Sequence, residues 1–181
     1  RSQGYTVTGA HPCYAWFYNR ENINRNLGFE DYKFVENYFS PMTGGDVGYD
    51  DLFFPELIQL WEANKALGKP VFTYDLTYQG HGPYSDDTLW WEDGYDYVLG
   101  GDYTDAERNI LNNYFGSIYN TNQNLKAFFD YFRGESEPVV IVVFGDHNPW
   151  LGDGNAVYEA MGLDPVSYTH LRAHETLMNL V

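Results

Sequence analysis

The sequence predicts an α/β layered fold with a mostly parallel central sheet flanked by helices. Strand-like and helix-like segments alternate along the 181 residues, the order that builds such layers. The run 139–144 is unbroken and aliphatic, which is typical of a strand buried on both faces inside a parallel sheet. Hydrophobic residues make up 44% and charged residues 20%, which excludes a disordered tail, a fibre and a coiled coil.

Periodicity and capping signals place the individual elements. Apolar residues at helical spacing follow Asp50 or Asp51, and Thr104 with Glu107 forms a capping-box pattern at the start of a long helix. Asn19 is a candidate N-cap, and Gly28 is a candidate helix stop. The predicted strands are 5–10, 32–35, 71–76 and 139–144, and the predicted helices are 20–27, 50–63 and 104–133.

Two segments lie outside this pattern. The loop 78–103 is too long for a simple connector, and its aromatic residues favour an ordered structure. The segment 166–181 resembles translated sequencing-adapter read-through, so we expect residues 1–165 to form the domain and 166–181 to be a non-native tail. A genuine amphipathic helix is the alternative for that tail.

The charge balance restricts the partners. Ten Lys and Arg residues against 26 Asp and Glu residues give a formal charge of −16, so nucleic-acid binding through a basic face is not expected. An anionic substrate would need a metal ion or a local cluster of Arg and His. The single cysteine, Cys13, excludes an internal disulfide and a cysteine-based zinc site. The longest aliphatic run is six residues, far below the roughly 20 that cross a bilayer.

Candidate chemistry follows the ends of three predicted strands, where ligands bind in open α/β sheets. Asp146 and His147 come after 139–144 and offer an oxygen and a nitrogen ligand suited to Zn or Mn; alternatively, Asp146 caps a turn and His147 packs. His81 follows the strand 71–76 between two glycines. His11 follows the first strand, and Arg20 offers a planar set of donors that matches phosphate or sulfate. Aromatic residues 16–18 could form a wall for an apolar or sugar-like group.

These motifs together resemble the lipoteichoic acid synthase family, which are sulfatase-like members of the alkaline phosphatase superfamily. The resemblance runs from about Gly4 to Asp164. The motifs that carry it are Gly4-Tyr5, His11, Phe17-Tyr18-Asn19-Arg20, Leu27-Gly28-Phe29, His81-x-Pro83 and Gly145-Asp146-His147.

The resemblance implies a fold, an activity and a site. The fold would be sulfatase-like, and the activity would be transfer of glycerol phosphate from phosphatidylglycerol through a phospho-threonine. One divalent metal ion, Mn²⁺ by resemblance with Mg²⁺ or Zn²⁺ as alternatives, would be held by Asp146 and His147. The substrate pocket would contain His11, Phe17, Tyr18, Arg20 and His81.

The same resemblance implies that the chain is the C-terminal portion of a catalytic domain. The remaining metal ligand (a Glu), the nucleophilic Thr and membrane helices would lie upstream, so we expect the isolated chain to be inactive. The partners would be an anionic phospholipid head group and a glycerol-phosphate polymer at the outer face of the bacterial membrane. The alternatives are a sulfatase or phosphodiesterase of the same superfamily, and an aromatic-rich carbohydrate-binding module.

Overall fold

The computed structural model describes residues 3–91 and 96–163. Its three strands form one parallel sheet in the order β2-β1-β3, so the predicted α/β class with a parallel sheet is confirmed. The strands are β1 (Thr6–Ala10), β2 (Asp31–Lys33) and β3 (Val71–Asp75). The helices are α1 (Arg20–Leu27), α2 (Ser40–Thr43), α3 (Asp50–Lys65), α4 (Asp105–Phe132) and α5 (Ala156–Ala160).

Strand β1 lies between the other two, and its glycine allows the close packing there. Gly9 pairs with Tyr32 on one side and Tyr74 on the other. A Cβ atom at Gly9 would collide with the Tyr32 ring and with the Tyr74 carbonyl oxygen. All three strands run in one direction, so their carboxyl ends meet at the same edge of the sheet, where Ala10 pairs with Lys33 and Asp75.

The chain divides into two compact units. The first contains the sheet and consists of the residues up to Gln79 together with Asn120–Val139. Its core is aromatic and aliphatic, because α3 and the second half of α4 contribute large side chains to it. Those core side chains are Ala10, Phe39, Phe53, Phe54 and Leu57, with Leu125 and Phe128 packed against them.

The second unit consists of Gly80–Tyr119 and the residues from Val140 onward. Its core comes from the long loop, the first half of α4 and α5. The buried side chains are Tyr84, Val98, Ile110, Leu111, Leu151 and Val157. Across residues 3–91 and 96–163, no helix combines the length and the apolar character that spanning a membrane requires.

The predicted interior strand 139–144 is not formed, which corrects the sequence-based expectation. The segment has no strand pairing, and Val140 and Phe144 are 87% and 64% exposed. An aliphatic composition favours burial, but a strand forms only where a neighbouring strand offers backbone hydrogen bonds. Strand β1 already pairs on both sides, and no described strand pairs with 139–144.

Smaller differences appear at the ends of predicted elements. Strand β2 ends at Lys33, and a π-helical turn at Val35–Phe39 follows it, because the Asn37 side chain accepts the Phe34 N–H at 2.7 Å. Asn19 precedes α1 but makes no capping bond to the helix backbone. The capping box is confirmed: the Thr104 N–H donates to Glu107 at 2.7 Å, and the Glu107 N–H donates to Thr104 Oγ1 at 3.3 Å. The predicted tail 166–181 lies outside the described residues.

Residues 85–90 of the long loop are held by a side-chain amide of α4. Asn113 is fully buried, and its Oδ1 accepts the Trp90 N–H at 2.8 Å. Its Nδ2 donates to the carbonyl oxygens of Ser85 and Thr88 at 3.0 and 2.8 Å. One amide therefore satisfies three backbone groups of the loop.

We expect Asn113→Ala to destabilise the chain by about 3 kcal/mol, because three backbone groups of the loop lose their partner at once and the fully buried side-chain site of Asn113 is left unfilled. Asn109→Ala is the matched control, since Asn109 lies on the same helix and makes one exposed bond, to Asp86 at 2.9 Å. Urea unfolding followed by circular dichroism measures both changes. Equal losses for the two variants would contradict a special role for Asn113.

Candidate functional site

His11 lies at the carboxyl end of β1 and is 3% exposed. Its Nδ1 is 2.8 Å from the carbonyl oxygen of Leu76, the residue after β3. A carbonyl oxygen only accepts, so Nδ1 carries the proton and a neutral ring has its unprotonated nitrogen at Nε2. The two strand ends are therefore joined through the imidazole, which fixes the tautomer that the ring presents.

Arg20 is the first residue of α1 and is half-buried. Its guanidinium carbon is 5.8 Å from the centre of the Tyr18 ring, within the range of a cation–π contact. Its Nε is buried without a hydrogen-bond partner, and among the described residues no carboxylate pairs with it. Burial raises the pKa of the nearby Cys13 thiol, and the Arg20 charge offsets part of that rise.

A turn with a strained backbone contains Phe17 and Tyr18, the aromatic residues that precede Arg20. Tyr18 and Asn19 both have positive φ angles, 53° and 55°, which are uncommon outside glycine. This backbone leaves Tyr18 69% exposed, with its ring 4.5 Å from that of Phe17. Strain of this kind costs about 1–3 kcal/mol per residue and is often found at ligand sites.

His81 lies in the second unit, in the loop after Gln79. Its side chain is exposed, and Nδ1 is 2.5 Å from the carbonyl oxygen of Gly82. Because a carbonyl oxygen only accepts, Nδ1 of His81 carries the proton, as it does in His11. The loop around it is held by Tyr84, whose buried hydroxyl donates to the Gly80 carbonyl at 2.5 Å.

Asp146 and His147 form an exposed pair in the second unit. The Asp146 Oδ2 and the His147 Nε2 are 3.6 Å apart, and the His147 N–H donates to Asp146 Oδ1 at 2.9 Å. Nδ1 of His147 donates to the Asn148 carbonyl at 2.8 Å, so the neutral ring directs its unprotonated Nε2 towards the carboxylate.

This donor pair fits one divalent ion as part of a ligand set. Two ligands of a tetrahedral ion lie about 3.3–3.6 Å apart when each bond is near 2.0–2.2 Å. Within residues 3–91 and 96–163, no group of three or more His, Cys, Asp or Glu side chains could hold a metal. If a divalent ion bound here, Asp146 and His147 would supply two ligands, and further ligands would have to come from elsewhere.

The seven predicted site residues thus lie in two groups. His11, Phe17, Tyr18 and Arg20 belong to the first unit, and the structure places the last three on one turn. His81, Asp146 and His147 belong to the second unit.

Two notable features of the first unit were not predicted. Burial raises the pKa of Asp75, at the end of β3, to about 7, although hydrogen bonds from Thr73 and the Ala10 backbone oppose the rise. The only sequence signal for it is a carboxylate at the last position of a strand. Glu36 accepts the Ala15 N–H, with its Oε2 at 2.9 Å, and no local pattern in the sequence indicates this contact.

The Sulfatase family profile matches residues 1–175. The chain belongs to the sulfatase family. The matched range covers all seven predicted site residues and reaches into the segment 166–181. The expected resemblance to lipoteichoic acid synthases within this family is confirmed by the relatives and solved structures that follow.

Two curated proteins are similar in sequence to this sulfatase-family chain. A protein of Rhizobium meliloti (strain 1021) named for cyclic β-1,2-glucan modification is 30% identical over 167 residues, which is 90% of this chain and 24% of that protein. Lipoteichoic acid synthase 1 of Bacillus subtilis (strain 168) is 26% identical over 173 residues, which is 93% of this chain and 25% of the synthase. The chain spans about a quarter of the length of each relative.

Two solved structures share the sulfatase-like fold. The phosphoglycerol transferase GacH of Streptococcus pyogenes, solved with sn-glycerol-1-phosphate, has a TM-score of 0.62 and 22% identity, covering 87% of this chain and 40% of its own. The lipoteichoic acid synthase LtaP of Listeria monocytogenes has a TM-score of 0.54 and 17% identity, covering 73% of this chain and 31% of its own.

Proposed function

We propose that the chain is part of a metal-dependent phosphoglycerol transferase of the lipoteichoic acid synthase type. Its substrates would be phosphatidylglycerol-like phosphodiesters at the bacterial cell surface. The observation that carries this proposal is Arg20, whose guanidinium has no carboxylate partner among the described residues although the chain contains 26 acidic residues.

The Nε atom of Arg20 is buried without a hydrogen-bond partner, which is unfavourable, and an oxygen of a bound anion would satisfy it. Arg25, on the same helix, pairs with Glu21 at 2.7 Å, so an acidic side chain is within reach of a cation on this helix. Within residues 3–91 and 96–163 Arg20 nonetheless has no carboxylate partner, and it lies against the ring of the exposed Tyr18. Its planar donors match two oxygens of a phosphate group, and His11 and His81 are further candidates for phosphoryl contacts.

The metal part of the proposal rests on Asp146 and His147. A carboxylate oxygen and an imidazole nitrogen suit Mn²⁺ as well as Zn²⁺, and Mg²⁺ would use the carboxylate. A divalent ion bound there would neutralise phosphoryl oxygens and help to form the attacking alkoxide. The protein's own contribution is the orientation of the two ligands: the Asn148 carbonyl fixes the His147 tautomer, and the His147 N–H holds the Asp146 carboxylate.

The rest of the machinery would lie in a longer protein. We propose that an upstream segment supplies a Glu ligand, the nucleophilic Thr and membrane helices, and that the chain works at the outer face of the membrane. The relative named for glucan modification favours a glycan as one possible acceptor, beside a glycerol-phosphate polymer. Hydrolysis in place of transfer, as in a sulfatase or phosphodiesterase, is the second candidate that family membership supports.

Binding of sn-glycerol-1-phosphate, measured by calorimetry, tests the role of Arg20. We expect Arg20→Ala to weaken binding about 30-fold, since a charge-assisted contact contributes about 2 kcal/mol. Arg20→Lys should recover only part of this, because an ammonium group cannot form two parallel bonds. Arg25→Ala on the same helix is the control. Unchanged binding in Arg20→Ala would overturn the proposal that this residue holds the phosphate.

A further inference from the structure

Tyr14 and Trp16 form a stacked aromatic pair in the first unit, which we call the aromatic platform. Their ring centres are 5.5 Å apart and their planes differ by 15°. Trp16 is 69% exposed, while Tyr14 covers one side of its ring and the Phe17 ring lies edge-on at 5.9 Å. Large apolar rings grouped on a surface in this way usually mark a binding site.

Backbone hydrogen bonds hold this segment in place. The Phe17 N–H donates to the Tyr14 carbonyl at 3.2 Å, and the Asn19 N–H donates to the Trp16 carbonyl at 3.0 Å. Ala15, which separates the two aromatic residues in the sequence, donates its N–H to Glu36 at 2.9 Å. A ligand that stacks on the platform would therefore lose little affinity to ordering of the loop.

The groups around the platform are hydrogen-bond acceptors with negative charge. The exposed carboxylate of Glu36 accepts the Ala15 N–H, and the exposed carboxylate of Asp46 lies 3.5 Å from the Tyr14 hydroxyl. Such carboxylates accept hydrogen bonds from hydroxyl groups and repel phosphates. An anionic lipid surface or a polyphosphate is thus disfavoured here, while a neutral ring with many hydroxyl groups is complementary.

We propose that the aromatic platform binds a neutral pyranose ring of a glycan acceptor. The apolar C–H face of the sugar stacks on Trp16, and its hydroxyl groups donate to Glu36 and Asp46. The proposal rests on the proposed transferase function, because Arg20, which would hold the phosphate, lies four residues after Trp16 in the same turn and helix start. It assigns acceptor recognition to residues distinct from Arg20.

Calorimetric titration of the 181-residue chain with a neutral β-1,2-linked gluco-oligosaccharide tests the platform. We expect Trp16→Ala to weaken binding about tenfold, and Trp16→Phe to retain most of the affinity. Trp150→Ala is the matched control, since Trp150 is also exposed (52%) but lies in the second unit. Far-ultraviolet circular dichroism checks that each variant is folded.

A second titration with sn-glycerol-1-phosphate separates this inference from the proposed function. Trp16→Ala should keep its glycerol-phosphate affinity, and Arg20→Ala should keep its oligosaccharide affinity. Absence of oligosaccharide binding by the unmodified chain at millimolar concentration, or equal binding by Trp16→Ala, would overturn the platform alone. Loss of binding to phosphatidylglycerol vesicles in Trp16→Ala, with oligosaccharide binding intact, would identify a lipid contact and also overturn it.

Discussion

His147→Ala is expected to abolish Mn²⁺-dependent release of diacylglycerol from a phosphatidylglycerol analogue, measured on this chain joined to the upstream segment proposed above. In the proposed metal site the imidazole would be one of two ligands, since the described residues contain no group of three or more His, Cys, Asp or Glu side chains that could hold the ion. Changes to groups that merely orient a ligand cost about 10- to 100-fold, so loss of the ligand itself should cost more. Asp146→Ala is expected to have the same effect.

Binding of the metal can be followed independently of turnover. We expect the isolated chain to bind Mn²⁺ weakly in an electron paramagnetic resonance titration, and His147→Ala to bind it more weakly still. Asp153→Asn is the control, because it removes a negative charge seven residues after Asp146 in the sequence and leaves both proposed ligands unchanged. Full activity of the joined protein in chelator, or a silent His147→Ala variant, would show that the metal assignment is wrong.

Lowering the pH from 8 to 5 is expected to stabilise the fold, the reverse of ordinary acid denaturation. Asp50 is fully buried at the start of α3, and burial raises its pKa from 3.8 to about 6. Thr121 donates to its Oδ2 at 2.6 Å, but its Oδ1 has no hydrogen-bond partner. The folded state thus holds the proton more tightly than the unfolded state, and stability falls as the pH rises from about 4 to 6.

Asp50 alone should change the free energy of unfolding by about 1.5 kcal/mol between pH 5 and 8. Asp75, whose pKa is raised to about 7, acts in the same direction and extends the change to higher pH. Guanidinium unfolding at both pH values measures the effect, and Asp50→Asn should reduce it. Asp86→Asn removes the same charge from an exposed residue of the second unit that does not act on Asp50, and it controls for the net charge. A pH dependence that is identical in the two variants would contradict the assignment to Asp50.

Several elements of both units could be predicted from the sequence, because their signals are local. The helix stop at Gly28 is confirmed by a left-handed backbone at that residue, and the capping box at Thr104 forms as its side-chain chemistry requires. The strands β1 and β3 have apolar, β-branched and aromatic residues bounded by Pro, Gly and Asp. Because both strands belong to one parallel sheet, the residues that follow their carboxyl ends are expected to lie close together. The His11–Leu76 hydrogen bond joins these two strand ends.

Tertiary structure decided what local composition could not. The segment 139–144 has the composition of an interior strand, yet burial on two faces needs neighbouring strands, and pairing is a property of the whole sheet. The orphaned Nε of Arg20, the raised pKa of Asp50 and the stack of Tyr14 on Trp16 likewise depend on what surrounds each side chain. The sequence by itself determined which residue types stand at the strand ends and therefore the class of chemistry. Desolvation, ring packing and unpaired charge arise between residues distant in sequence, so only the folded chain fixes them.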